Sequence, residues 1–315
     1  MDPECLFVLR VAREPAELLY TAADRLRAEA RRSLGRPLDV RHGLDLDTPI
    51  DTGEPGPHAE GRTILLAPHA QLPPDVAEAV QPPSDAADAY RIATLNRGGS
   101  SVTVVTGNSD RACLYGAYRL AEDWEIDGRV DVADQAFEPV VPHRWLLFQY
   151  GVSGGWQASM RFDRTLASLA ETPRYGINGV YMYNGPVWPW YTLRVEGDTA
   201  RRDETEAAQL KSIFRRFETY GLEIAYACPL DFPGTYTADQ INAFLCGQRD
   251  LPGYVETFQQ YHRTLLDAFL REYPEVDALV ASTVEGAMGW GFRREAGTHS
   301  TATVAKTLFL DTKGH

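Results

Sequence analysis

Apolar and polar positions along the chain alternate between two periods, and the changes of period divide it into segments. Residues 5–11, CLFVLRV, form a short apolar run and predict a strand. In the following stretch Leu18, Leu19, Ala22, Leu26 and Ala30 recur at helical spacing, with Gly35 as the stop. Residues 45–61 are rich in Asp, Pro and Gly and predict a loop. RTILLAP (62–68) predicts a second strand, and PPDVAEAV a short helix opened by proline. DAYRIATLN and SSVTVVTGN flank a Gly-Gly turn and predict a hairpin. DRACLYGAYRLAEDW (110–124) then predicts a helix, with Leu114, Ala117, Tyr118 and Leu120 on one side. This block carries no glycine-rich phosphate fingerprint, and up to about residue 140 it is expected to be an α+β domain.

Residues 130–144, with two prolines, are expected to be a connector. Beyond them strand and helix patterns alternate: strands over 145–151, 175–184, 222–230 and 276–283, and helices over 159–171, 204–221, 254–273 and 300–310. Four strand–helix units in succession imply a parallel sheet with right-handed crossovers. The connections after the strands are long and rich in Gly, Trp and Pro, as in NGPVWPWY, which is the character of the loops on the active face of a (β/α)8 barrel. Eight such units need about 250 residues, so the expected fold is an accessory α+β domain over 1–140 followed by a partial (β/α)8 TIM barrel of about four units over 141–315. Open barrel edges in such a chain predict self-association.

Composition narrows the function classes. The 315 residues carry a formal net charge of −13, which disfavours a nucleic-acid surface and attraction to an anionic membrane. An apolar content of 44% is enough for a sizeable core. The four cysteines, Cys5, Cys113, Cys228 and Cys246, lack metal-ligand spacing, and no two of the seven histidines stand as H-x-x-x-H. No segment has the length of a transmembrane helix, and the start lacks a signal-like apolar region. The expectation is a cytoplasmic protein without metal or organic cofactor. There is no G-x-S-x-G elbow, and GVSGG (151–155) lacks dinucleotide-site spacing.

The chemistry lies just after the predicted strands. DALVASTVEG (277–286) is an apolar run ending in an acid, Glu285. A carboxyl at the mouth of a barrel, in a partly apolar pocket, would have its pKa raised and could serve as a general acid. Asn184 follows the second barrel strand as a polar contact. Trp156, Trp188, Trp190 and Trp290 fall in the same set of loops and are candidate platforms for sugar rings. Each tryptophan taken singly could equally pack a loop onto the barrel rim. A glycosidase needs a second carboxylate, and Asp231, two residues past a strand, is a poor candidate for it.

These segments together resemble the front half of the α-glucuronidases of glycoside hydrolase family 67. YGINGVYMYN is similar to that family's second-strand GINGV…N motif, and IFRRFETYGLEIAYACPLDFP (213–233) to its helix, third strand and following loop. VASTVEGAMGWG (280–291) resembles its SEG motif, and AGTHSTATVAKTL (296–308) the helix beyond it. The first 140 residues resemble the accessory domain that the family shares with β-hexosaminidases. The resemblance implies inverting release of (4-O-methyl)glucuronic acid from xylo-oligosaccharides, with Glu285 as general acid. Ala281 stands where the family has a uronate-holding lysine, FQYGVSGGW replaces its WDN signature, and the base is implied on later strands outside this chain. Two alternatives follow: a glycosidase of another sugar specificity, hexosaminidase-like, or a truncated chain that binds carbohydrate without turning it over.

Overall fold

The computed structural model describes residues 7–12, 15–44, 62–97, 100–128, 132–149, 168–183, 193–196, 199–202, 204–229 and 254–282. It is a mixed α/β fold with two largely or wholly parallel sheets. The chain divides into two compact units. The first comprises Met1–Arg144, Ala170–Asn178 and Thr219–Gly221; the second comprises Trp145–Leu169, Gly179–Glu218 and Leu222–His315.

The first unit is built on a six-stranded sheet. Its strands are β1 (Phe7–Val11), β2 (Leu38–His42), β3 (Arg62–Pro68), β4 (Tyr90–Arg97), β5 (Ser100–Gly107) and β6 (Gln135–Phe137), in the order β2-β1-β3-β5-β4-β6. The first four in that order run parallel; β4 is antiparallel to β5, and β6 to β4. The predicted hairpin is β4–β5, registered from Tyr90↔Gly107 to Arg97↔Ser100. Central β3 is buried at every position after Arg62, as a strand covered on both faces must be.

On one face lie α1 (Glu17–Ser33) and α3 (Asp110–Asp127), packing Leu19, Leu26, Leu114, Leu120 and Trp124 against Leu9, Ile64 and Val105. On the other, α2 (Pro74–Ala79) contributes Val76 to a smaller cluster with Leu65, Val102 and Val104. Ser109 caps α3: its hydroxyl accepts from the Ala112 N–H at 3.1 Å and donates to the Ala87 carbonyl at 2.8 Å. Gly128, at φ +61°, closes the other end of the helix.

The second unit holds a four-stranded parallel sheet of β7 (Trp145–Gln149), β8 (Gly179–Tyr183), β11 (Glu223–Pro229) and β12 (Ala278–Ser282), in the order β12-β11-β8-β7. Spatial order follows chain order, as a succession of crossovers of one hand requires. Two helices precede its later strands: α4 (Glu204–Glu218) before β11 and α5 (Tyr254–Glu272) before β12. An aromatic cluster joins them to the sheet. The Phe214 ring meets Tyr226 and Tyr273 edge-on, with centroids 6.2 and 5.6 Å away, and Phe269 lies 4.9 Å from both tyrosines. A short hairpin, β9 (Leu193–Glu196) and β10 (Thr199–Arg202), interrupts the alternation.

Several elements depart from the sequence expectation. Strand β2 is an edge strand whose Asp, Arg and His hide the period-two signal, and β6 is three residues long inside the expected connector. The strand expected from residue 175 starts only at Gly179: residues 172–175 form a 3-10 turn, and Gly176 takes a left-handed φ of +63°. Of the helix expected over 159–171, residues 159–167 lie outside the described residues, as does the whole of the one over 300–310.

Candidate active site

All four strands of the second sheet run the same way, so their carboxyl ends lie on one edge. β7 ends at Gln149, registered to Tyr183 at the end of β8; β11 ends at Pro229, registered to Ser282 at the end of β12. In α/β folds built of successive strand–helix units the active site lies at this edge, on the loops that leave the strands. The sequence candidates all fall in the segments that follow these ends. Asn184 is the next residue after β8, and Glu285 the third after β12; Trp156 follows β7, Trp188 and Trp190 follow β8, and Trp290 follows β12. These six, and Asp231, lie outside the described residues. Ala281 is inside β12, registered to Cys228.

The opposite, amino-terminal ends are described in detail, and polar side chains hold two of them. Asn178 directly precedes β8. Its N–H donates to the Arg144 carbonyl at 3.1 Å, and its Oδ1 accepts from the Arg144 N–H at 2.8 Å. The two Nδ2 hydrogens go to the Pro142 carbonyl (2.5 Å) and to Asp88 Oδ2 (3.2 Å). Both amide hydrogens and the carboxamide oxygen are therefore partnered, as expected of a side chain only 1% exposed. Asp88, 4% exposed, also receives Arg111 Nε at 2.8 Å and Arg144 Nη2 at 2.7 Å. Arg144 also donates through Nε to the Gly176 carbonyl (2.5 Å) and through Nη1 to the Val141 carbonyl (2.7 Å). Tyr115 completes the shell by donating to the Ile177 carbonyl at 3.0 Å; burial, helped by the Asp88 charge, pushes its phenol well above the usual range.

Asp277 directly precedes β12 and repeats the first part of this arrangement. Its N–H donates to the Ile224 carbonyl at 2.9 Å, and its Oδ2 accepts from the Ile224 N–H at 2.9 Å. At the foot of β8, a Cβ on Gly179 would run into the Trp145 ring, so only glycine leaves room for that indole across the strand pair.

The other buried acids of the described residues have structural roles. Glu29 takes both Arg32 Nε (3.1 Å) and Nη2 (2.7 Å), with Ser33 and Arg25 alongside. Burial raises its pKa, but the Ser33 and Arg32 hydrogen bonds and the arginine charges outweigh it and hold the carboxyl below its ordinary value. Asp123 accepts from Gln135 Nε2 (2.5 Å) and pairs with Arg119 (3.1 Å). The Cys113 thiol is fully buried and pushed far up, chiefly by that burial, which makes it inert rather than nucleophilic. Among the described residues no group of His, Cys, Asp and Glu could hold a metal ion, and no helix is long and apolar enough to cross a membrane.

No protein-family profile matches the chain, and no curated protein matches it. Solved structures do. A GH138 enzyme targeting pectin rhamnogalacturonan II superposes with a TM-score of 0.59 at 16% identity, over 87% of this chain and 30% of that one. CpGH84D superposes with a TM-score of 0.52 at 10% identity, over 92% of this chain and 49% of that one. The chain thus has a glycoside-hydrolase-like fold and spans less than half of the length of either neighbour. Their families are 138 and 84 rather than 67, so the likeness is to the hydrolase fold and not to α-glucuronidases in particular.

Sequence reasoning passed over Asn178 and Asp277. Their spacing within the chain gives no signal, because their partners Arg144, Asp88 and Ile224 are remote in sequence. The available clue was position: an Asx residue just ahead of an apolar β run, in GIN-GVYMY and in VD-ALVAS.

Proposed function

We propose that the protein acts on carbohydrate as a glycoside hydrolase, at the carboxyl edge of the second sheet, with Glu285 as general acid. The fold likeness to glycoside hydrolases carries this reading. Chain geometry supports it: three residues span at most about 11 Å, which ties Glu285 to the end of β12, while Asn184 adjoins β8. Glycosidic cleavage expels an alkoxide, a poor leaving group unless protonated, and a carboxylic acid with a raised pKa supplies that proton. Trp156, Trp188, Trp190 and Trp290 supply indoles, whose apolar faces suit sugar C–H surfaces. In this reading residues 1–140 are the accessory domain, and 141–315 contribute about four β/α units of a barrel.

The finer reading is inverting hydrolysis of (4-O-methyl)glucuronic acid from xylo-oligosaccharides, supported by the GINGV and VEG motifs. A specific observation favours a second sugar class. Ala281 offers no cation where a uronate carboxylate would need one, which removes a charge-assisted hydrogen bond. Screening aryl glycosides of uronic acids, N-acetylhexosamines and neutral sugars separates the two. Turnover confined to uronides supports the finer reading, and turnover confined to the others replaces it.

A further inference from the structure

The two Asx residues at strand feet share one geometry. Asn178 with Arg144, and Asp277 with Ile224, each exchange two hydrogen bonds with a single residue on the neighbouring segment: the Asx N–H donates to its carbonyl, and the Asx side-chain oxygen accepts from its N–H. In both cases the pair continues the strand register by one position. Arg144 and Asn178 precede the Trp145↔Gly179 pair, and Ile224 and Asp277 precede Ala225↔Ala278. A parallel ladder begins with an N–H that has no partner strand residue to receive it, and the Asx side chain supplies that acceptor.

We propose that Asn178 and Asp277 are positioning residues that set the register of β8 on β7 and of β12 on β11. The need follows from the sequence. GVYMY and ALVAS are short and almost continuously apolar, so a slip of one residue, which exchanges the faces of a strand, is weakly opposed by hydrophobic pattern alone. A fixed two-bond pair at the first position opposes it directly. These are also the two strands that lead into Asn184 and Glu285, so a slip would move both by one residue relative to their neighbours. That functional half rests on the proposed reading of the site; the register half stands without it.

Cys228 provides a native reporter, because Ala281 is its registered partner and Val280 and Ser282 would be its partners after a slip in either direction. Opposed strand residues lie within disulfide reach. Ala281→Cys, Val280→Cys and Ser282→Cys are each oxidised mildly, and the cross-link to Cys228 is quantified by peptide mapping. In the otherwise unchanged protein only Ala281→Cys should link efficiently. Asp277→Ala should lower that yield at least about fivefold and raise one of the other two, whereas Asp277→Asn, which keeps the acceptor oxygen, should restore the original pattern. An unchanged Ala281→Cys yield in Asp277→Ala, or an equal fall in all three, would overturn the proposal, since the second result reports lost stability only. Titrating an oligosaccharide that the protein binds tests the functional half: affinity should fall in Asp277→Ala and return in Asp277→Asn. If no sugar binds at all, the proposed function fails while the cross-link pattern still decides the register.

Discussion

Arg144 reaches the Asp88 carboxylate through Nη2 at 2.7 Å, and both side chains are largely withdrawn from water. Asp88 holds Arg111 and Asn178 as well, so one buried acid joins three residues remote from one another in the chain. Removing one partner of such a pair leaves an uncompensated buried charge, which costs about 3–5 kcal/mol. Asp88→Ala, which removes the acid that both arginines share, should lower stability by that order, as measured by denaturant unfolding, and Arg144→Ala by less, because Arg111 still pairs with Asp88. A change under about 1 kcal/mol in Asp88→Ala would show that the network contributes little.

Gly107 is needed at the end of β5 because a Cβ there would collide with the Ala112 side chain and lie 2.9 Å from the Ala89 carbonyl. Overpacking of this kind costs about 1–3 kcal/mol. Gly107→Ala should lose that much in an unfolding titration by collision, whereas Gly35→Ala, with open space around it but a φ of +64°, should lose about 1–2 kcal/mol through backbone strain alone.

The two sheets were legible in the sequence because their central strands are apolar runs bounded by turn residues, and α1, α3, α4 and α5 because their apolar positions repeat at helical spacing. Edge elements were not. β2 carries Asp39, Arg41 and His42 toward solvent or partial burial, and the β9–β10 strands are four residues each, too short for a period to stand out. The candidate site was open to sequence only as residue types after strand ends, and those residues lie outside the described ones. Asn178 shows why more could not be read: its role is fixed by Asp88 and Arg144, and no local pattern links three residues so far apart.

Glu29 should make the first unit acid-sensitive. Its carboxyl is held below the ordinary value in the fold, so its contribution is present above the unfolded pKa of about 4.3 and is lost as pH falls through the folded value. Melting temperature of Glu29→Gln against the unsubstituted protein should differ most near neutral pH and converge below about pH 4. A gap that stays constant to lower pH would remove ionisation as its cause.

The buried phenols give the opposite limb. Tyr90 is pushed up to about 12, first by burial and then by the Asp123 and Glu122 charges, against the opposing Arg119. Tyr115 and Tyr118 are raised further, again chiefly by burial. Stability from keeping them neutral is complete below the unfolded value of about 10 and is lost as pH rises toward the folded one. Ultraviolet titration should show a class of tyrosines that ionises only together with alkaline unfolding. Full ionisation of every tyrosine near pH 10 with the fold intact would contradict their burial.

The central claim is that Glu285 is the acid of a glycosidase site. Its most direct test is turnover of an unactivated glycoside by the full gene product, with and without Glu285→Gln. A general acid is worth about 10²–10⁴-fold, so the substituted protein should lose activity by that factor, and should lose far less on an aryl glycoside whose leaving group needs no proton. Equal turnover by both proteins on the unactivated substrate would contradict the claim.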